Sequence, residues 1–206
     1  MLQINTAKAI KWRAVFAESA FIGASILLAF ALQDWDEERD IEERTHIAMC
    51  NVKSELAFNR VLIKRGYVPK QQGLLATIRA AISMGRQGDQ ARSIDMNLES
   101  MLIQESLRYS AWSLAGESGY MLHANYELAT EIGAVIDFQK DSYQPVINRL
   151  NAAIFNHGEA LQENKRESHV RLISLTNEWV AQTRYLESKY EMLFARDDFT
   201  NMECAQ

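Results

Sequence analysis

The chain has 206 residues, 48% hydrophobic and 24% charged, a globular balance that excludes wholesale disorder. Its two prolines and few scattered glycines exclude collagen-like and Pro-rich classes and disfavour an all-β fold, which needs frequent turn residues. A net charge of -5 argues against nucleic acid as a partner, because phosphate contacts require a basic footprint.

The first element is apolar. From Ala14 to Leu32 only Glu18, Ser19 and Ser25 interrupt apolar, small or aromatic residues. About 19 residues at a rise of about 1.5 Å reach roughly 28 Å, close to the hydrocarbon thickness of a bilayer. Trp12 and Trp35 bracket the run, where interfacial aromatics lie. Nine large apolar residues favour insertion by roughly 3–5 kcal/mol in total, and one acid near an end subtracts less than the about 2.5–3.5 kcal/mol of a central acid. Lys8, Lys11 and Arg13 precede the segment, and Asp34, Asp36, Glu37, Glu38 and Asp40 follow it. Basic flanks stay in the cytoplasm, so residues 1–13 are expected inside and residues 33–206 outside. A cleaved signal peptide is the main rival, with Ala29-Phe30-Ala31 as a small-x-small site. Glu18 shortens the apolar core, however, and no helix breaker follows Gly23 before Gly66.

Ala17, Ala20, Ala24, Leu27 and Ala31 form a stripe on one face of this segment, with Ser19-x-x-x-Gly23 alongside. Small residues let helix backbones approach, so Glu18, Ala20, Gly23 and Ala24 are candidate contacts for a homodimer in the bilayer. Glu18 is also a functional candidate by default, against the plainer reading that it marks the cytoplasmic boundary.

No Gly or Pro occurs from Ala24 to Arg65, so the helix is expected to continue as a stalk over 33–65 whose distal part packs with the bundle. Gly66 and Pro69 then predict its end and the start of a bundle over 66–197, with a tail over 198–206. Leu74, Leu75, Ile78, Ala81 and Ile82 make one face of a short helix. Residues 86–92 read as a loop, and Leu98, Met101, Leu102 and Ile103 predict a helix running to about Tyr109. After the break at Gly116 and Gly119, Asn125 is placed to cap a long helix. Ala129, Ile132, Ile136, Tyr143, Ile147, Leu150 and Ile154 mark its face, which Pro145 should kink or divide near Asp141. His157-Gly158 closes it. The last helix, about 167–195, carries Leu172, Trp179, Leu186 and Leu193 every seven residues, with Leu175 and Tyr190 beside them. The fold class is all-α: one membrane helix, a stalk, and an up-and-down bundle of four to five helices. No internal repeat is evident.

The run Glu18-x4-Gly23-x-Ser25-Ile26-Leu27-Leu28-Ala29-x3-Gln33-x-Trp35-x-Glu37-x-Arg39 resembles the N-terminal signature of an uncharacterised family of bacterial single-pass membrane proteins. Ser110-x-Trp112-x6-Gly119-x8-Leu128 is similar to that family's Trp…Gly…Leu region. The resemblance implies a bacterial inner-membrane anchor with a helical periplasmic domain, and no assigned activity.

Catalytic patterns are absent. Glu43-x-x-His46 has the one-turn spacing of di-metal carboxylate bundles, but such sites need a second copy and two further glutamates. His157 and Glu167-Ser168-His169 fall at helix ends. Gly116-Glu117-Ser118-Gly119 is one residue short of a nucleophile elbow. No Walker loop, dinucleotide fingerprint or His-Glu-x-x-His occurs. Catalytic, cofactor and metal residues are therefore none. Cys50 and Cys204 are too few for a disulfide framework or zinc site. They can pair in an oxidising compartment, although a lone buried thiol and a frayed tail is the simpler reading. Trp112, Tyr120 and Tyr126 are the candidate ligand or partner surface, against the plainer reading that they are core. The resulting expectation is a membrane-anchored interaction module with a lipid bilayer and an unknown protein as partners. The alternatives are a ligand-binding sensor bundle and, behind it, an enzyme.

Overall fold

The computed structural model describes residues 12–86, 102–156 and 166–204, and the structural statements below concern these. Four expectations lie outside the described residues: the basic flank at Lys8 and Lys11, the loop over 87–92, the start of the following helix at Leu98 and Met101, and the helix closure at His157. The chain divides into two compact units, Met1–Arg44 and Thr45–Gln206. The boundary falls inside α1, which runs from Trp12 to Leu62.

In the first unit α1 is long and apolar enough to cross a membrane, and none of that apolar window is buried. Phe16, Phe21, Leu27, Leu28 and Phe30 are all exposed. The Ser25 hydroxyl donates to the Phe21 carbonyl at 2.8 Å, so its polar group is satisfied within the helix. Past the apolar window, the Arg39 guanidinium stands over the Trp35 ring and Arg44 pairs with Asp40 at 2.9 Å.

The second unit is all-α, with no strand among its described residues. Its helices are the end of α1, α2 (Val68–Arg86), α3 (Ser110–Glu117), α4 (Tyr126–Asp137), α5 (Gln144–Asn156), α6 (Arg166–Phe194) and α7 (Asp197–Thr200). From Thr45 onward α1 buries Met49, Val52, Leu56 and Leu62, together with Thr45, Glu55 and Asn59. The distal stalk is thus part of the bundle from residue 45.

Gly66 and Pro69 do not end the helix. A π turn, Ile63–Tyr67, joins α1 to α2, and the flanking Leu62 and Val68 keep right-handed helical backbone. The reason lies in what proline removes. In a regular α-helix its ring meets the carbonyl four residues back and its missing N–H leaves that carbonyl unpaired. Here the Val68 N–H bonds to the Ile63 carbonyl, five residues back, and the widened turn carries the chain into Pro69. The same solution appears at Pro145. A π turn, Phe138–Tyr143, joins α4 to α5, with the Gln144 N–H on the Gln139 carbonyl. The expected interruption near Asp141 is this turn.

The two turns show a short internal repeat that the sequence hides. Each reads Lys-x-small-Tyr-x-Pro, at Lys64-Arg65-Gly66-Tyr67-Val68-Pro69 and Lys140-Asp141-Ser142-Tyr143-Gln144-Pro145. Burial follows the same register in both: Ile63, Tyr67, Gln71, Leu74 and Ile78 match Gln139, Tyr143, Ile147, Leu150 and Ile154. The two tyrosines meet in the core, with ring centroids 6.1 Å apart and near-parallel. Trp179 packs 5.6 Å from Tyr67 and donates its indole N–H to the Tyr143 hydroxyl at 2.9 Å.

Helix α6 closes the core against α2 and α5. His169, Leu172, Thr176, Trp179, Thr183, Leu186, Tyr190 and Leu193 are all buried, at alternating three- and four-residue steps. Its two seam threonines donate to the carbonyls of Leu172 and Trp179, four residues back, which lets polar residues sit in an apolar seam. His169 lies in the first turn of α6, at a helix end as expected, and is fully buried there. Asn125 caps α4 as its position suggests, accepting from the Leu128 N–H at 3.0 Å. Gly119 holds φ 79°, a left-handed turn that a β-carbon would strain.

Candidate functional site

Glu18, Ala20 and Ala24 are exposed and Gly23 is half-exposed on the first unit's helix. A β-carbon at Gly23 would meet nothing within 4 Å, so the helix surface there is open to close approach.

The aromatic trio is dispersed over three elements. Trp112 is partly buried in α3, and its ring edge would lie 3.3 Å from a β-carbon at Gly133. The missing side chain of Gly133 is therefore the slot that accepts the indole. Tyr120 is half-buried in a 3₁₀ turn, Tyr120–His123, and its carbonyl accepts from the Thr45 hydroxyl at 3.4 Å. Tyr126 opens α4 and is 83% exposed.

What the sequence conceals is a clamped segment. The helix expected to reach Tyr109 is absent at its described end, since residues 103–109 are non-helical and lead straight into α3. Side chains of the flanking helices replace the backbone bonds that a helix would make. Asn59 donates to the Arg108 carbonyl at 2.7 Å and accepts from the Arg108 N–H at 2.8 Å. Asn151 donates to the Ile103 carbonyl at 2.8 Å and accepts from the Ile103 N–H at 3.0 Å. The Tyr67 hydroxyl donates to the Glu105 carbonyl, and the Lys70 ammonium donates to the Leu102 carbonyl. Ile103 and Leu107 are buried, whereas Gln104, Glu105, Ser106 and Arg108 are exposed. Glu55 then receives the start of α3, accepting from the Ser110 hydroxyl at 2.8 Å and the Ala111 N–H at 3.0 Å. A carboxylate there suits the positive end of the helix.

A polar layer runs beneath this segment. Asn59 also donates to the Gln139 amide oxygen at 3.1 Å, which accepts from the Tyr190 hydroxyl at 2.7 Å. Tyr143 and Thr183 share a hydrogen bond at 2.9 Å, and Gln71 donates to Thr183 at 2.6 Å. Burial pushes the Tyr143 phenol up to about 12, against hydrogen bonds from Thr183 and Trp179 that pull it down. Tyr67 and Tyr190 are raised further, chiefly by burial, so all three stay neutral donors over the ordinary pH range.

The cysteines pair. Cys50 and Cys204 form a disulfide with Cα atoms 5.5 Å apart, which overturns the reading of a lone thiol and a frayed tail. The tail is docked because it has its own anchors. Phe199 is fully buried, and the Lys53 ammonium donates to the Thr200 and Met202 carbonyls at 3.0 Å each. Arg196 bonds Glu131 at 2.6 Å and Asp198 at 2.8 Å, and its hydrogen bond to Asp198 holds that carboxyl below the usual range.

An open groove on the bundle is lined by Ala57, Arg60, Val61, Lys64, Arg65 and Phe194. Among the described residues, no three His, Cys, Asp or Glu side chains gather where a metal ion could bind. Comparison with protein-family models, curated proteins and solved structures finds no match for this chain.

Proposed function

We propose that this protein is a single-pass membrane-anchored module whose helical bundle binds a protein partner at the outer face of a bacterial inner membrane. The observation that carries the reading is the continuity of α1. One helix presents bare apolar side chains from Val15 to Leu32 and then buries its next apolar face in a bundle. Such a helix leads from an apolar, membrane-length stretch into the first buried face of a folded domain. The side of the membrane is argued from chemistry. The Cys50–Cys204 disulfide suits an oxidising compartment, and the charge step from Arg13 to the acids after Gln33 favours the same orientation. The reading assigns no catalysis, metal or cofactor to the bundle, and it includes pairing of two membrane helices through Ala20, Gly23 and Ala24.

A C-terminal alkaline phosphatase fusion, compared with a cytosolic fluorescent reporter, tests the orientation. Active phosphatase with a dark reporter is expected, and the opposite pattern overturns the reading. Crosslinking in native membranes tests the partner: one reproducible crosslinked protein is expected, and none would remove the interaction role.

A further inference from the structure

In a chain of net charge -5, one stretch has the opposite sign. From Leu56 to Arg86 there is no acid, and Arg60, Lys64 and Arg65 fall together at the end of α1 and in the π turn that follows it. With Ala57 and Val61 they line the open groove on the bundle, a space of about 330 Å³ that Phe194 of α6 completes. Ala57 and Val61 make an apolar row and Arg60 and Lys64 a basic one beside it, since residues four apart share a helix face. Phe194 is held edge-on to Phe199 at 5.1 Å, and the Arg60 guanidinium stands over its ring at 5.2 Å. A guanidinium stacked by its face still has N–H groups at its edge to donate.

The fold leaves this surface uncovered and its charge uncompensated. Val61 is 51% exposed. Among the described residues no carboxylate pairs with Arg60 or Arg65, and Lys64 reaches Glu191 only at 3.9 Å, between two side chains that are about half-exposed. A pair of that kind in water contributes little.

We propose that this groove is the docking site for an acidic amphipathic helix of a partner protein. Its aliphatic side chains lie against Ala57, Val61 and Phe194, and its carboxylates meet Arg60, Lys64 and Arg65. The inference rests on the interaction reading above and gives that interaction an address. Charge sets the sign of the partner: three cations beside an apolar strip attract an acidic segment and repel a basic one. Shape favours a helix over a small anion. A small-molecule site encloses most of its ligand and orients it with a few placed polar groups, whereas this groove is open, with Lys64 and Arg65 exposed and Arg60 half-buried. A helix laid in a groove needs an apolar strip and anchors at helical spacing, which the two rows supply.

The test uses the full-length protein in detergent and two fluorescein-labelled helical peptides. One has leucines four apart flanked by glutamates, and in the other every glutamate is lysine. The glutamate peptide should bind at least about tenfold tighter than the lysine peptide, and more weakly as salt rises. Lys64→Glu/Arg65→Glu should weaken it by at least about tenfold and Val61→Ser by about fivefold. Arg79→Glu, outside the groove, should leave it within about twofold. All four positions are exposed, and each variant's Tm is read alongside. Equal binding of the two peptides by wild-type protein overturns the proposal, as does binding indifferent to Lys64→Glu/Arg65→Glu. Indifference to Val61→Ser would reduce the contact to attraction between opposite charges and overturn the docked helix. Binding of laurate in place of the peptide would make the occupant a small amphipathic anion, and a concentration-dependent dimer abolished by Lys64→Glu/Arg65→Glu would make it a second copy; either overturns the proposal. In native membranes, a photocrosslinking residue in place of Val61 should capture an acidic amphipathic segment, mapped by mass spectrometry, and a neutral or basic segment there overturns the proposal. Crosslinks from elsewhere on the bundle with none from Val61 overturn this address and leave the interaction reading standing, whereas none from any position removes both.

Discussion

Two stretches of the same helix have opposite surroundings. Between Val15 and Leu32 the large apolar side chains of α1 are exposed, whereas from Met49 to Leu62 the helix buries Val52 and Leu56 completely. Backbone geometry and helix propensity are alike in both. The difference is the pattern of side chains: apolar on all faces in the first stretch, and on one face in the second. A helix apolar all round needs a solvent of hydrocarbon, and a one-sided helix needs other helices. The lesson is that helix continuity reveals nothing about environment, which the distribution of apolar side chains around the axis decides.

This comparison can be broken most decisively in the bundle. Trp179→Ala removes a fully buried indole and its bond to Tyr143, and should cost about 3–5 kcal/mol in chemical denaturation. Leu56→Ala should cost about 2–5 kcal/mol in the same measurement, while Leu28→Ala should leave the bundle transition unchanged within about 0.5 kcal/mol. Equal losses at Leu28 and Leu56 would refute the two environments. Reduction of Cys50–Cys204, which closes a loop of sequence separation 154, should lower stability by about 3–5 kcal/mol, read as a fall in Tm with dithiothreitol. Leu28→Arg acts only on the other stretch. It should weaken insertion by less than the about 2.5–3.5 kcal/mol of a central charge and raise the carbonate-extractable fraction without moving the bundle's Tm.

The smallest effect is on pH dependence. Tyr67, Tyr143 and Tyr190 have raised folded-state values, so the folded protein holds protons that the unfolded chain releases near the ordinary phenol value of about 10. The sign follows: their contribution is complete below pH of about 10 and declines as pH rises through the folded values. Absorbance at 295 nm should show these three tyrosines ionising only together with unfolding. Independent ionisation near pH of about 10 would mean that the polar layer is open to water.

Much of the architecture was legible from local patterns. The membrane-length run announced itself by length and flanking charge, and α6 by its heptads, because both signals are properties of a single helix. Leu172, Trp179, Leu186 and Leu193 are all buried as that spacing suggests. Thr176 and Thr183 escaped notice because their seam positions depend on hydrogen bonds to their own helix, which a hydrophobicity pattern does not register. Of the candidate site, Trp112 was identified as an aromatic near a break, but its slot at Gly133 is a contact between distant segments.

The sequence by itself determined the helical class, the apolar span, the cap at Asn125 and the faces that seek burial, since each depends on neighbours within a turn or two. Tertiary structure decided the rest. Pro69 and Pro145 each follow a π turn through which the helix runs on, and Tyr67 and Tyr143 of those turns meet in the core from positions 76 residues apart. Cys50 met Cys204 because Phe199 and Lys53 dock the tail. Residues 103–109 gave up a helix because Asn59 and Asn151 satisfy their backbone from outside. Each outcome is set by partners dozens of residues away, and a local pattern carries no information about how far the chain must travel to find them.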